Sequence, residues 1–320
     1  MMQLTSLSPG AVKEAPARPP ARARQSSIRR AGIILLFLLP SALLYIVFVF
    51  LPMIQAAYYS LFSWNGLEPL QDFVGLQNFY TAFKSTVFTM AFLHNILILV
   101  FSLGLQLPLT LLLALIIGKR LPGRAFFRTI FFMPFILSEV ITGVIWSFIY
   151  QPDGLINTTL AHLIPGYQVL WLASPQLVLG SIFFVMCWKY FGLNLVLYVA
   201  AIGNIPDEIE EAARIDGATP LQIVRHINIP LVASTIRLTM FLSALGSLQY
   251  FDLIYVMSNG GPIHASETMA TYLYQYGFKS YEMGYGSAVG LIIFLICFVF
   301  SLMYQRLIMS RDLAGTGAQA

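Results

Sequence analysis

Long stretches without a charged side chain are the feature that most constrains how this chain can fold. No Lys, Arg, Asp or Glu occurs from Ala31 to Leu67, and none occurs from Ser85 to Gly118. A helix needs about 20 mostly apolar residues to cross the roughly 30 Å hydrocarbon core of a bilayer. Both stretches meet that length, and 58% of all residues are hydrophobic whereas 10% are charged. The sequence therefore predicts an all-α, polytopic membrane protein.

Six transmembrane helices are predicted from the apolar stretches. Glu139 lies inside the third, Lys189 lies inside the fourth, and the fifth contains Arg237 and Asp252, which makes it the least apolar. The predicted helices run near residues 31–53, 90–117, 127–150, 177–202, 232–257 and 283–306.

The distribution of Lys and Arg predicts the orientation, because these residues are enriched in cytosolic loops. With a cytosolic N-terminus, all but three of the 18 Lys and Arg residues lie on the cytosolic side, the exceptions being Lys84, Lys189 and Lys279. Both termini and the loop 203–230 are therefore expected to face the cytosol. Since this bias accounts for the formal net charge of +4, the basic balance gives no indication of nucleic-acid binding.

Composition divides the chain into four parts. Residues 1–30 are rich in Pro, Ala and Arg without apolar periodicity, and we expect a disordered basic cytosolic tail. Residues 31–84 hold the first transmembrane helix and an outer segment, whose aromatic residues suit short interfacial helices. Residues 85–310 are expected to form the main transmembrane domain, with the loop 203–230 on its cytosolic side, and 311–320 a second cytosolic tail.

Sequence motifs for catalysis or nucleotide binding are absent. There is no GxxxxGK loop, no GxSxG, and no cluster of His or Cys at metal-ligand spacing. Cys187 and Cys297 both fall in predicted transmembrane helices, which favours neither a disulfide nor a metal site. We therefore expect no enzymatic activity and no metal or cofactor bound by this chain. Energy for active transport would have to come from a partner or from an ion gradient.

The cytosolic loop 203–230 is predicted to form a helix, a glycine break and a second helix. Pro206 suits the first turn of a helix, where its missing N–H would be unpaired anyway. Acidic residues in that turn are favoured by the helix dipole, and Gly217 can adopt the left-handed conformation that ends a helix. Thr219 followed by Pro220 is typical of an N-cap and first helical position.

The charge of this loop indicates a binding surface. Five acidic and two basic side chains between Asp207 and Arg225 give a net charge of −3. The anionic inner leaflet of the membrane would repel such a loop, whereas a basic groove on another protein would attract it. A solvated connection between two transmembrane helices is the alternative interpretation, and the charge favours docking.

The spacing of residues in the loop resembles the cytoplasmic signature of membrane subunits of bacterial ATP-binding-cassette (ABC) importers. That signature is EAA, three residues, Gly, nine residues and I-x-L-P, and the one departure is Ile for Leu at position 229. The matching residues here are Glu211, Ala212, Ala213, Gly217, Ile227 and Pro230. Three further segments resemble carbohydrate-type permeases such as those of maltose and glycerol-3-phosphate importers, namely residues 73–79, 127–157 and 259–278, and the resemblance extends over about 31–308.

The resemblance implies the type I ABC importer transmembrane fold, with the loop as a coupling helix seated in a cleft of a dimeric cytosolic ATPase. Glu211 would meet basic or polar groups there, Ala212 and Ala213 would permit close contact, and Gly217 would make the bend. ATP and Mg²⁺ would be bound by the ATPase. The other implied partners are a second related permease subunit, an extracytoplasmic solute-binding protein that delivers a sugar or sugar derivative, and the lipid of the bacterial inner (plasma) membrane.

Polar and aromatic residues inside the predicted helices are candidates for the transport pathway, because burying polar groups in the bilayer is costly. These candidates are Glu139, Trp146, Lys189, Tyr190, Tyr250 and Asp252. Two interpretations of Lys189 are open. Its ammonium group binds substrate, including a phosphate group, or it pairs with Asp252 or Glu139 and holds helices together.

Two other functions are compatible with a polytopic membrane protein. An ion-gradient-driven secondary transporter would be expected to show internal repeats, broken helices and several intramembrane carboxylates. A receptor or scaffold without transport would not need the coupling signature. The sequence therefore favours the importer.

Overall fold

The computed structural model describes residues 21–70, 72–118, 123–166 and 168–309. Every regular element in these ranges is helical, and the one isolated β-bridge they contain joins Phe62 and Phe73. The chain divides at Gln55 into two compact units, which are described separately here. The helices are α1 (Ala21–Tyr45), α2 (Leu51–Tyr59), α3 (Gln77–Lys84), α4 (Thr86–Phe101), α5 (Leu107–Ile117), α6 (Arg124–Ile136), α7 (Glu139–Ile149), α8 (Leu155–Leu163), α9 (Val178–Gly203), α10 (Asp207–Ile215), α11 (Pro220–Ile223), α12 (Ile229–Leu231), α13 (Ala233–Leu248), α14 (Asp252–Met257), α15 (Met269–Leu273) and α16 (Met283–Tyr304).

Four helical segments are long and apolar enough to cross a membrane without interruption, and they confirm four of the six predicted helices to within a few residues. Short π-helical turns join α1 to α2 and α4 to α5, and another extends α16, so that each of these segments is continuous. The four segments are Ile33–Tyr59, Thr86–Ile117, Val178–Gly203 and Met283–Met309.

The third predicted helix is broken, so a continuous helix over 127–150 was the wrong prediction. Helices α6 and α7 meet at an angle of 96°. Pro134 cannot donate a backbone hydrogen bond near the end of α6, and Leu137 is extended. The Ser138 hydroxyl then accepts a hydrogen bond from the Ile141 N–H at 3.2 Å and starts a new helix. α6 and α7 reach the length of one membrane span only when they are counted together.

The fifth predicted helix, 232–257, is also interrupted. α12 and α13 meet at an angle of 66° at Val232, and residues 249–251 separate α13 from α14. The Thr268 hydroxyl donates a hydrogen bond to the Tyr250 carbonyl at 2.7 Å, which pairs a backbone group that the interruption leaves outside both helices. With each bent pair counted as one span, the described residues hold six spans.

Two predictions for the segments outside the spans need correction. Residues 1–20 and 311–320 lie outside the described residues, but residues 21–30 are helical rather than disordered and begin α1. The prolines of the tail all precede Ala21, and the Ala, Arg and Gln residues that follow are good helix formers. In the described part of the predicted outer segment, α3 is the one separate short helix, because residues 60–70 and 72–76 form turns and irregular structure around the Phe62–Phe73 bridge.

Helix α9 is packed closely against the first half of the broken third span. A Cβ atom at Gly192 would overlap the carbonyl oxygen of Phe131 in α6, so only glycine permits this approach. The second half makes a close contact with another helix, since a Cβ atom at Gly143 of α7 would lie 2.7 Å from Cγ1 of Val256 in α14. The glycine contacts of the two halves are therefore made with different helices.

The approach of α6 and α9 predicts that Gly192→Ala is destabilising. The added methyl group would force the helices apart, and overpacking of this kind costs about 1–3 kcal/mol. Gly180→Ala in the same helix is the matched control, because nothing lies within 4 Å of a Cβ atom there. We expect a lower melting temperature in detergent for Gly192→Ala only. Equal melting temperatures for the two variants would contradict the packing.

Candidate functional site

The loop 203–230 folds as the sequence predicts, with a glycine ending its first helix. Gly217 has a φ of +83°, in the left-handed region. The Ala218 N–H donates to the Ala213 carbonyl at 2.9 Å, and the Gly217 N–H donates to the Arg214 carbonyl at 3.1 Å. These two bonds pair carbonyl groups that the end of α10 would leave open, in the arrangement known as a Schellman motif.

The second helix of the loop begins at the predicted cap. The Thr219 N–H donates to Gln222 Oε1 at 2.7 Å, and the Gln222 N–H donates to the Thr219 hydroxyl at 3.4 Å. Pro220 occupies the first turn of α11. The chain continues as a π-helical turn and α12, and it bends at Val232 before α13.

The residues of the EAA signature lie mostly on the surface of the loop. Glu211, Ala212, Gly217 and Pro230 are exposed. Ala213 and Ile227 are half-buried. These side chains are consequently placed where a second protein can approach α10.

Two apolar side chains on the same loop were missed in the sequence analysis. Ile215 is 86% exposed and Leu221 is 75% exposed, one on each side of the glycine bend. Fully exposed aliphatic residues beside a charged helix are typical of a surface that another protein covers. The signal available in the sequence was the presence of Ile and Leu in a short polar loop with no apolar periodicity to bury them.

Glu210 differs from its acidic neighbours because it is turned inward. Its exposed fraction is 8%, and one of its carboxylate oxygens lies 3.6 Å from the Arg214 guanidinium. The negative charge of Glu210 is therefore paired with Arg214 inside the loop. The exposed face of α10 consequently carries less negative charge than the number of its acidic residues suggests.

The intramembrane candidates come together around the break of the third span. The Tyr190 hydroxyl donates a short hydrogen bond to Glu139 Oε1, and the Lys189 ammonium lies 3.9 Å from the same oxygen. Trp146, Tyr190 and Tyr250 belong to one apolar cluster. The sixth candidate, Asp252, is exposed at the start of α14 and lies close enough to interact electrostatically with Glu139, Tyr190 and Tyr250.

Three buried polar atoms near this group have no hydrogen-bond partner within the ranges that the structure describes. They are Glu139 Oε2, Trp146 Nε1 and the Tyr250 hydroxyl. Buried polar groups are costly without a partner, so water, a ligand or another subunit is expected to supply one. Among all the residues that the structure describes, no group of three or more His, Cys, Asp or Glu side chains could hold a metal ion.

Tyr190 and Tyr250 line a cavity of about 150 Å³ whose wall is mostly apolar. Uncharged polar residues also line it, namely Ser102, Gln106, Asn194, Ser243 and Ser247. The sequence analysis missed these five because it considered charged and aromatic side chains. The signal was available, since amide and hydroxyl side chains within apolar spans are also costly to bury.

The glycine bend of the loop predicts that residue 217 tolerates few side chains. Its φ is unfavourable for an L-residue by roughly 1–2 kcal/mol, whereas Asn adopts this conformation more readily. Gly217→Ala should accelerate hydrogen exchange in α10 by about 5- to 30-fold, and Gly217→Asn by less. Gly203→Ala is the control, since this glycine has no positive φ and nothing within 4 Å of a Cβ atom. Identical exchange in Gly217→Ala and the parent protein would contradict the bend.

Fold and site together define the class of protein: an integral-membrane translocation subunit with a small cavity among broken helices and an exposed loop. Residues 106–310 match the family of binding-protein-dependent transport system inner membrane components. The chain belongs to this family.

Similar proteins are permeases of ABC transporters. A probable ABC transporter permease, YurN of Bacillus subtilis (strain 168), is 35% identical over 277 residues, which are 85% of this chain and 94% of the relative. The probable starch degradation products transport system permease AmyD of Thermoanaerobacterium thermosulfurigenes is 30% identical, covering 87% of this chain and 94% of the relative. In a crystal structure of a bacterial alginate ABC transporter in complex with an alginate pentasaccharide-bound periplasmic protein, one chain is similar with a TM-score of 0.78 and 25% identity. The match covers 90% of this chain and 97% of that chain.

These similarities confirm the type I ABC importer transmembrane fold and the importer class, and they make this chain a translocation component rather than an enzyme. The secondary-transporter alternative finds no support among them. The two broken spans had been expected of that alternative, but they occur here within an importer fold. The family also places the chain in an inner membrane.

Proposed function

We propose that this chain is the permease subunit of an importer that moves a sugar or sugar derivative inward across the bacterial plasma membrane, using ATP hydrolysed by a separate subunit. The family membership and the alginate and starch-product systems among its relatives support this proposal. The observation that carries it is the loop of α10 and α11, which holds the EAA residues beside exposed apolar side chains.

The loop docks into a cleft of a dimeric cytosolic ATPase, and that ATPase binds the ATP and Mg²⁺. Ile215 and Leu221 are covered on docking, which removes apolar surface from water and stabilises the complex. Ala212 and Ala213 permit close approach, and Gly217 sets the angle between the two short helices. Glu211 contacts basic or polar groups of the ATPase, and Ile227 and Pro230 belong to the segment that leads from the docking surface into the fifth span.

The remaining partners follow from the orientation and from the family. Both termini and the loop face the cytosol, as the distribution of Lys and Arg favours. A solute-binding protein delivers the sugar on the opposite side, and a second, related permease subunit completes the pathway. Apolar helix faces that neither subunit covers contact membrane lipid.

The pathway passes the polar group at the break of the third span. A sugar offers many hydroxyl groups, and these can pair with buried atoms such as Glu139 Oε2, Trp146 Nε1 and the Tyr250 hydroxyl, none of which has a partner within the described ranges. Tyr190 and Tyr250 line the cavity of about 150 Å³. Asp252 is exposed at the first residue of α14, and Lys189 is buried beside the break of the third span.

Reconstitution tests the function directly. Proteoliposomes would contain this chain, its second permease and the ATPase, with the solute-binding protein outside and a labelled oligosaccharide as substrate. We expect uptake only with ATP inside and binding protein outside. Uptake driven by a proton or sodium gradient without the ATPase would overturn the proposal.

The apolar side chains of the loop predict a specific loss of ATPase binding. Replacing a covered Leu or Ile by Ser removes on the order of 1.5–3 kcal/mol of burial, so Ile215→Ser and Leu221→Ser should each weaken co-purification of the ATPase about tenfold or more. Leu163→Ser is the control, because this residue is 74% exposed but belongs to α8 on the outer side. Unchanged ATPase binding in both loop variants would exclude the proposed docking surface.

Removing single hydroxyl groups separates a pathway role from a structural one. The Tyr250 hydroxyl has no partner in the described protein, so Tyr250→Phe should leave the melting temperature unchanged but raise the KM for transport about 2- to 10-fold. The Tyr198 hydroxyl hydrogen bonds with Thr239 Oγ1 at 2.6 Å, so Tyr198→Phe should instead lower the melting temperature and leave KM unchanged. A parental KM for Tyr250→Phe would remove Tyr250 from the pathway.

A further inference from the structure

The break in the third span leaves a backbone carbonyl outside both helices. Leu137 is extended, with φ of −65° and ψ of 142°, so its carbonyl belongs to neither α6 nor α7. A backbone group in the hydrocarbon region needs a partner within the protein, because no bulk water can supply one there. The break can therefore exist only if another group of the protein pairs with the Leu137 carbonyl.

The partner is the side chain of Lys189, which reaches the break from α9. Only 2% of Lys189 is exposed, and its ammonium group donates a short hydrogen bond to the Leu137 carbonyl. The same ammonium group lies 3.9 Å from Glu139 Oε1. One side chain thus contacts the residue that follows α6 and the first residue of α7.

The charges agree with the dipoles of the two helices. The C-terminal end of α6 carries partial negative charge, and the cationic Lys189 lies beside it. The N-terminal end of α7 carries partial positive charge, and the anionic Glu139 occupies its first position. Tyr190, the neighbour of Lys189, donates a hydrogen bond to the same carboxylate. Two consecutive residues of α9 consequently hold both ends of the break.

Packing contacts hold the two halves of the span on both sides of the break. α6 is held against α9 by the close approach at Gly192, whereas α7 is held against α14 by the close approach at Gly143. The Trp146 ring of α7 also packs against the Phe184 and Trp188 rings of α9, with centroids 5.5 and 5.4 Å apart. Lys189 adds the polar contacts at the break itself, between these packing contacts.

We propose that Lys189 is a positioning residue that fixes the angle between α6 and α7, with the Leu137 carbonyl and the Glu139 carboxylate as its two anchors. The ammonium group is occupied by these anchors and takes no part in binding the sugar. This role distinguishes it from Tyr190 and Tyr250, which line the cavity.

Distance measurements test the proposal without sugar or ATPase. Spin labels at Met133 on α6 and Phe148 on α7, both exposed, would report the angle in a background with Cys187 and Cys297 replaced by Ala. We expect one narrow distance distribution in the parent protein and in Lys189→Arg, and a broad one in Lys189→Met. Lys84→Met is the control for the same chemical change outside the break. A narrow parental distribution in Lys189→Met would overturn the proposal.

Transport kinetics provide the second readout, which rests on the proposed function. Lys189→Met should lower the maximal rate about tenfold or more, because it leaves the half-buried Glu139 carboxylate without its cationic partner, and should leave KM within about twofold. Adding Glu139→Gln removes that carboxylate charge and should restore part of the rate. A raised KM at a parental maximal rate would assign Lys189 to the sugar and overturn the positioning role.

A variant that does not fold leaves the test intact. If Lys189→Met cannot be purified, Glu139→Gln alone should broaden the distance distribution while Lys189→Arg keeps it narrow. The reverse pattern would overturn the proposal. Failure of the transport assay in the parent protein would count against the proposed function, whereas the distance measurement would still decide the role of Lys189.

Discussion

Every backbone N–H and C=O group within the hydrocarbon core must find a partner inside the protein, and this constraint determines where the spans can break. An uninterrupted helix satisfies its own backbone, whereas a broken one depends on side chains from other parts of the chain. At the third span Ser138 caps the new helix and Lys189 pairs the Leu137 carbonyl. At the fifth span Thr268 pairs the Tyr250 carbonyl. The breaks are therefore specific structures, built from a few polar side chains that would otherwise be costly in a membrane.

A further break, the bend at Val232, lies between the loop 203–230 and the cavity lined by Tyr190 and Tyr250. The loop ends in α12, which meets α13 at Val232, and α13 carries Ser247 into the cavity wall. A movement of the docked loop would act on α13 directly, with no intervening domain. α9 also lines the cavity, with Tyr190 and Asn194, and it contacts the break of the third span through Lys189. The cavity is therefore lined both by α13, which follows the loop, and by α9, which carries Lys189.

The unbroken spans could be predicted from the sequence because each depends only on the length of an apolar stretch. Breaks could not, since an apolar stretch of bilayer length has the same hydropathy whether it is straight or bent, although Pro134 and Ser138 were usable signals. The ends of the two loop helices could be predicted, because the conformation of Gly217 and the hydrogen bonds beside it involve residues that are close in the sequence. The inward turn of Glu210 could not be predicted, because it depends on packing with the rest of the protein.

The central claim is that the loop of α10 and α11 docks on a cytosolic ATPase. Photo-crosslinking in intact cells tests it most directly, with a benzophenone amino acid at Leu221 and, as a control, at Leu163. We predict an adduct between this chain and the ATPase from position 221 and none from position 163. An actively transporting complex in which position 221 gives no ATPase adduct, or cross-links only to lipid, would contradict the account.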